Sequence, residues 1–138
     1  MTNKTVVTGV VGADGHIVGN WVLSRVLEQN GFKVISLGAS VSQSEFVNAA
    51  VETNADAILV SSIYGQGAID CQGFRQKCDE AGLKNILLYV GGNLSVAEEP
   101  DEVVADRYKA MGFNRVYAAQ THPKLAIKDL RQDLGLEA

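Results

Sequence analysis

The sequence predicts an α/β domain built on a parallel sheet, and three observations carry that prediction. Short β-branched runs alternate five times with longer amphipathic stretches. The short runs are apolar almost throughout, as strands covered on both faces are, rather than alternating in polarity. Capping and helix-stopping residues mark where the amphipathic stretches begin and end.

Thr5 to Val11 (TVVTGVV) reads as a buried first strand, followed by a glycine-rich loop. Val18 to Asn30 places Val18, Val22, Val26 and Leu27 at helical spacing, with Trp21 and Leu23 beside them. Asn30-Gly31 supplies its stop. Lys33 to Leu37 is the second strand. Ser42-Gln43-Ser44-Glu45 has capping-box spacing and opens a second helix to about Thr53. Ala57 to Ser61 (AILVS) is the third strand, and Ala68 to Ala81 the third helix, ended by Gly82. Asn85 to Val90 (NILLYV) is the fourth strand, with Gly91-Gly92 directly behind it. Asp101 to Met111 is a helix closed by Gly112, Arg115 to Ala118 a short fifth strand, and Pro123 to about Leu134 a final helix with proline in its first turn.

Five strands alternating with five helices call for a sheet covered on both faces. Right-handed crossovers leave few arrangements, and a doubly wound, flavodoxin-like (Rossmann-like) five-stranded sheet of order 2-1-3-4-5 is expected. Residues 1–138 contain no linker, repeat or low-complexity segment and read as one domain.

Composition bounds the function. An apolar fraction of 46% and a charged fraction of 20% over 138 residues suit one soluble domain with a single substantial core. No apolar run approaches the roughly 20 residues needed to cross a bilayer. Met1-Thr2-Asn3-Lys4-Thr5 has no secretory signal, so cytoplasmic residence is expected and a membrane partner is not. A net charge of -4 with no basic cluster argues against nucleic acid. Cys71 and Cys78 read as one-helix neighbours about 10 Å apart along the axis, too far for a disulfide, and as reduced, partly buried thiols.

Ligands of open parallel sheets bind beyond the carboxyl ends of the strands, where strand order reverses. After the first strand comes Gly12-Ala13-Asp14-Gly15-His16-Ile17-Val18-Gly19, after the third Ser61-Ser62-Ile63-Tyr64-Gly65-Gln66-Gly67, and after the fourth Gly91-Gly92-Asn93-Leu94-Ser95. Small and polar residues thus gather on one edge, where a ligand can approach the backbone. His16 can offer one nitrogen to a metal while Asp14 accepts from the other, which fixes the tautomer. Alternatively, Asp14 caps the following helix, Gly15 serves the turn and His16 is solvated. A solitary histidine is inadequate for protein-only zinc, but sufficient where a macrocycle supplies the other ligands. His122, the only other histidine, falls at a different strand end.

Asp14-x-His16-x-x-Gly19, then Ser61-x-Ile63, then Gly91-Gly92 resembles the signature of cobalamin-binding domains of the base-off/His-on type, over the whole chain. The segments SSIYGQG, DCQGFRQKCDEAGL and LLYVGGN make it most similar to the small, cobalamin-binding subunits of glutamate mutases (methylaspartate mutases). The resemblance implies that His16 is the axial ligand to cobalt and that Asp14 hydrogen-bonds it, within a cofactor-binding segment Ala13, Asp14, Gly15, His16 and Ile17. It implies that the displaced base threads between the first and third strands, past Gly19. Ser61 would meet that base, Ser62 and Ile63 would line its pocket, and Gly91, Gly92, Asn93, Leu94, Ser95, Val96 and Ala97 would follow the nucleotide loop. Ile63 stands where leucine is usual, an apolar swap, and Gly15 where some relatives carry a larger residue.

The implied activity is the adenosylcobalamin-dependent radical interconversion of L-glutamate and threo-3-methylaspartate, with the cofactor carrying the hard chemistry. The implied partner is a large barrel-type subunit that holds the substrate, in a heterotetramer of two small and two large chains. This chain would be inactive alone and has no catalytic residue beyond the cofactor ligand. Arg75, Arg107 and Arg115 fall on or beside helices and read as solvated, not as a clamp for two substrate carboxylates. The alternatives are a corrinoid carrier for a methyltransferase, which usually has a helical domain ahead of its binding domain, and the cobalamin-binding subunit of a related mutase. A receiver needs a phosphorylatable aspartate where Ser61-Ser62 stands, and a flavodoxin a hydroxyl-rich loop where residues 12–19 have none.

Overall fold

The structure, a computed structural model, describes residues 4–12, 18–62, 70–92, 94, 99–118 and 121–136, with the backbone alone for residues 18 and 19. Its elements run β1 (Thr5–Val10), α1 (Val18–Gln29), β2 (Lys33–Ser36), α2 (Gln43–Thr53), β3 (Ala57–Ser62), α3 (Phe74–Glu80), β4 (Leu87–Gly92), α4 (Asp101–Ala110), β5 (Arg115–Ala118) and α5 (Pro123–Asp133). All strand pairs are parallel and the order is β2-β1-β3-β4-β5, as the alternation of elements predicts. Among the described residues no helix is long and apolar enough to cross a membrane.

Local chemistry fixes the helix ends. Ser42 Oγ accepts from the Glu45 amide at 3.1 Å while the Ser42 amide donates to Glu45 Oε1 at 3.2 Å, so the capping box forms in full. Pro123 opens α5, and His122 Nδ1 accepts from the Lys124 amide at 3.1 Å.

Strand side chains alternate between two faces. Val7, Ile58, Val60, Leu88 and Val90 meet α2, α3 and α4 in a core that also holds Phe46, Phe74, Tyr108 and Phe113. Val6, Ala57, Leu59 and Tyr89 point the other way, against Leu27 of α1 and Ile127 and Leu130 of α5. Two rows of this second face matter for the site. Thr8, Leu59, Tyr89 and Arg115 are paired across the sheet, and one step nearer the carboxyl ends so are Val10, Ser61, Gly91 and Tyr117.

Four expectations are corrected. The third helix is not continuous over the described part of its expected range: Asp70 is helical, Cys71 to Gly73 form a turn with Gly73 at φ +75, and α3 runs only from Phe74. Gly91 and Gly92 do not lie behind β4; they are its last residues, paired with Ser61 and Ser62 on one side and Tyr117 and Ala118 on the other. The inward face of α1 keeps Val26 and Leu27 of its apolar stripe but leaves out Val22 and takes in polar residues. Asn20, Ser24 and Leu27 are buried, whereas Trp21 and Val22 are exposed, because Asn20 and Ser24 find hydrogen-bond partners on the sheet. Arg75 is not solvated: it donates to the carbonyls of Gly112 (3.0 and 2.9 Å) and Ile86 (2.9 Å) and to Asn114 Oδ1 (2.8 Å).

Both cysteines are free and fully buried, with Cys71 ahead of α3 and Cys78 within it. Burial, helped by Asp70, pushes the Cys71 thiol up to about 12, and burial raises Cys78 to about 11. At neutral pH both are protonated and unreactive.

Candidate cofactor site

Along the α1/α5 face, side chains shrink toward the carboxyl ends of the strands. Leu59 gives way to Ser61 on β3, and Tyr89 to Gly91 on β4. The lost bulk leaves a groove of about 190 Å³ between the first turns of α1 and α5. Its floor is Ser61, Gly91, Gly92, Tyr117 and Ala118; Asn20 and Leu23 of α1 form one wall, and Thr121, His122, Pro123 and Ala126 the other. It lies at the carboxyl ends of the strands, beside the β1/β3 switch in strand order, where such sheets bind ligands.

Glycine keeps both floor positions clear, and at Gly92 the backbone itself requires it. Gly92 sits at φ +115, and a Cβ there would stand 2.1 Å from the carbonyl oxygen of Ser62. At Gly91 a Cβ would come within 3.3 Å of Tyr117 Cβ, and a longer side chain would occupy the groove.

Buried hydrogen bonds hold the walls. Asn20, 1% exposed, donates its side-chain Nδ2 to Ser61 Oγ at 3.0 Å and to the Gly9 carbonyl at 3.3 Å. Below it, Thr8 and Ser24 pair their hydroxyls at 2.8 Å. On the α5 side, the Tyr117 hydroxyl donates to Asp129 Oδ2 at 2.7 Å, and the Tyr89 hydroxyl donates to Asp133. Arg115 spans the two carboxylates, at 3.4 Å from Asp129 and 2.8 and 2.9 Å from Asp133. Arg115 thus anchors α5 instead of facing solvent alone. Burial first, then the acceptor carboxylates, push the Tyr89 and Tyr117 phenols well above the usual tyrosine range. The Arg115 guanidinium holds the Asp133 carboxyl below the usual carboxylate range, against a smaller opposing effect of burial.

Of the residues singled out in the sequence, the structure brings Ser61, Gly91 and Gly92 together in this groove, with the backbone of Gly19 in the adjoining turn of α1. Ser62 is buried one position further on, where the strand alternation turns its side chain to the opposite face. Leu94 packs in the apolar core of that face, its carbonyl accepting from the Tyr108 hydroxyl at 3.0 Å, so only backbone is left to serve a ligand there. Ala13, Asp14, Gly15, His16, Ile17, Ile63, Asn93, Ser95, Val96 and Ala97 lie outside the described residues.

Asn20, Tyr117 and His122 escape a motif-based reading. Asn20 directly follows Gly19 and sits four residues before Ser24, a polar pair at helical spacing in a helix that must bury a face; that spacing was the available signal. Tyr117 and His122 reach the groove only through the pairing of β5 with β4 and the placement of α5.

The groove's chemistry suits a planar heteroaromatic base. Leu23, Ala126 and the Tyr117 ring supply apolar walls, Ser61 one hydroxyl, and Asn20 Oδ1 is buried with no hydrogen-bond partner. Among the described residues no three His, Cys, Asp or Glu side chains are grouped to hold a metal ion.

Residues 4–116 match the B12 binding domain family. The chain is 54% identical, over 99% of its length, to the whole of the glutamate mutase sigma subunit of Clostridium tetani, and 53% identical over the same shares to that of Clostridium cochlearium. Among solved structures, a cobalamin-binding protein from Desulfitobacterium hafniense shares the fold with a TM-score of 0.77 at 21% identity, over 94% of this chain and 58% of that one. The last likeness bears on fold alone. A B12-type domain along most of the chain, joined to half-identity from end to end, decides between the functions this architecture can host: the chain belongs to the family of glutamate mutase sigma subunits.

Proposed function

We propose that this chain, residues 1–138 as a single domain, is the cobalamin-binding subunit of a cytoplasmic, adenosylcobalamin-dependent glutamate mutase. With a large barrel-type subunit, two copies of each, it would interconvert L-glutamate and threo-3-methylaspartate. The observation that carries the cofactor assignment is the groove: a largely apolar slot with the Ser61 hydroxyl and a glycine floor at the carboxyl ends of β3 and β4.

In this reading His16 would hold the cobalt of the cofactor and Asp14 would fix its tautomer. The displaced base lies in the groove against Ser61, Gly91 and Gly92, and residues 93–97 follow the nucleotide loop. Adenosylcobalamin, when bound, supplies radical chemistry. The chain's own residues anchor, orient and seclude. Substrate carboxylates would be held by the partner. A corrinoid carrier or another mutase's subunit is not favoured, since relatives at about half identity across the whole chain are named glutamate mutase sigma subunits.

The test is spectroscopic. Wild-type chain titrated with cobalamin should convert the base-on spectrum to the histidine-ligated one, and His16→Gly should abolish that change. Unchanged spectra and affinity in the variant would refute the ligand assignment. Asp14→Asn should weaken binding or activity by roughly 10–100-fold. The purified chain should show no mutase activity until the large subunit is added.

A further inference from the structure

Asn20 and Ser61 form a hydrogen bond whose direction can be worked out. The Gly9 carbonyl oxygen can only accept, and it lies 3.3 Å from the Asn20 amide. The atom facing it must therefore be Nδ2, because the flipped amide would set two carbonyl oxygens against each other. The same Nδ2 lies 3.0 Å from Ser61 Oγ, so its other hydrogen goes to the serine. Ser61 Oγ then accepts from Asn20, and its own proton is left for a different partner. No acceptor for that proton stands among the described residues, and Ser61 lines the groove.

We infer that Asn20 is a positioning residue that fixes Ser61 as a hydrogen-bond donor into the groove, so that the groove selects a cobamide whose displaced base carries an unprotonated ring nitrogen. The inference rests on the cobalamin reading of the groove. A benzimidazole released from cobalt has such a nitrogen, its lone pair in the ring plane and free to accept from a hydroxyl. A phenolic base has none, and would displace water from the Ser61 hydroxyl without replacing its hydrogen bond, which is costly. The apolar walls accept either ring, so discrimination falls on this one hydrogen bond. Burial keeps the device rigid: Asn20 is 1% exposed, and neither of its Nδ2 hydrogens can turn to water.

Affinities are compared for three probes: cobalamin, a phenolyl cobamide, and cobinamide, which has the corrin but no base. Comparing each variant with wild type, probe by probe, cancels the differing cost of freeing the base from cobalt. Asn20→Leu keeps the shape and removes the donor. It should weaken cobalamin about tenfold while the other two probes change by less than about twofold, the signature of one lost hydrogen bond. In a Ser61→Ala background it should cost cobalamin nothing further. Asn20→Asp should give the same contrast by another route, since a carboxylate captures the serine proton. Should neither variant fold, Ser61→Ala alone must show the cobalamin-specific loss. An equal loss for all three probes, or no loss for cobalamin, overturns the inference and leaves the cofactor assignment standing. A wild-type chain that gives no histidine-ligated spectrum overturns both.

Discussion

The two faces of the sheet solve the same packing problem with different chemistry. Against α2, α3 and α4 the contact is apolar and aromatic, with Phe74 at the centre of ring contacts to Phe46 (5.6 Å) and Phe113 (6.0 Å). Against α1 and α5 the apolar cluster is smaller, and buried polar groups run beside it: Thr8, Asn20, Ser24 and Asp129. Apart from Asn20 Oδ1, which has no partner, those groups are hydrogen-bonded and cost little, but they contribute less than the hydrocarbon they replace. The polar face also holds the groove. The larger apolar core thus lies on one side of the sheet and the candidate groove on the other.

The largest expected effect tests the first half of that contrast. Phe74→Ala should lower unfolding free energy by about 3–5 kcal/mol, measured by urea denaturation. Cobalamin affinity of the molecules that remain folded should not change; a matching loss of affinity would break the contrast. Gly91→Val tests the other half. Filling the groove floor should weaken cobalamin by roughly 10–100-fold, the effect of about 1–3 kcal/mol of overpacking, with little effect on cobinamide. A comparable loss for both probes would mean that the base does not lie there.

Alkali probes both faces together. Tyr89 and Tyr117 on one side, and Tyr108, Cys71 and Cys78 on the other, titrate above their ordinary values when folded. The unfolded chain releases these protons from 9.0 (cysteine) and 10.0 (tyrosine) upward, while the folded chain keeps them. Stability should therefore be at full strength below pH 9.0 and fall as pH rises past it, by about 1.4 kcal/mol per pH unit for each retained proton. Denaturation midpoints taken across that range should show a steep decline; a flat profile would contradict the burial. Smallest is Tyr117→Phe. It removes one hydrogen bond but leaves Asp129 paired with Arg115, so about 0.5–1.5 kcal/mol should be lost in thermal unfolding.

The sequence carried the fold because the signals for it are local. Buried parallel strands leave β-branched runs, and the capping box of Ser42 and Glu45 and the proline opening α5 each announce a boundary within a few residues. Boundaries went wrong where a residue's role depends on a distant strand. Gly91-Gly92 looks like a turn in isolation and becomes strand only because Ser61 and Tyr117 flank it. The valines of α1 looked like its inward face, and a hydrophobicity pattern cannot show that Asn20 is satisfied by Ser61, 41 residues away. Ser61, Gly91 and Gly92 were legible through their motif, whereas Tyr117 and His122 carry no local mark and are recruited by topology alone.

The taper from Leu59 to Ser61 and from Tyr89 to Gly91 makes the groove a gauge of strand register. If β4 slipped by one residue against β3, Val90 or Gly92 would stand where Gly91 does, and every side chain of the strand would change faces. Either slip would bury a tyrosine among the wrong neighbours, and the one that brings Val90 to that place would fill the opening. In the proposed reading, a chain slipped to Val90 could not seat the base, so cofactor binding would report on the register of β4 against β3.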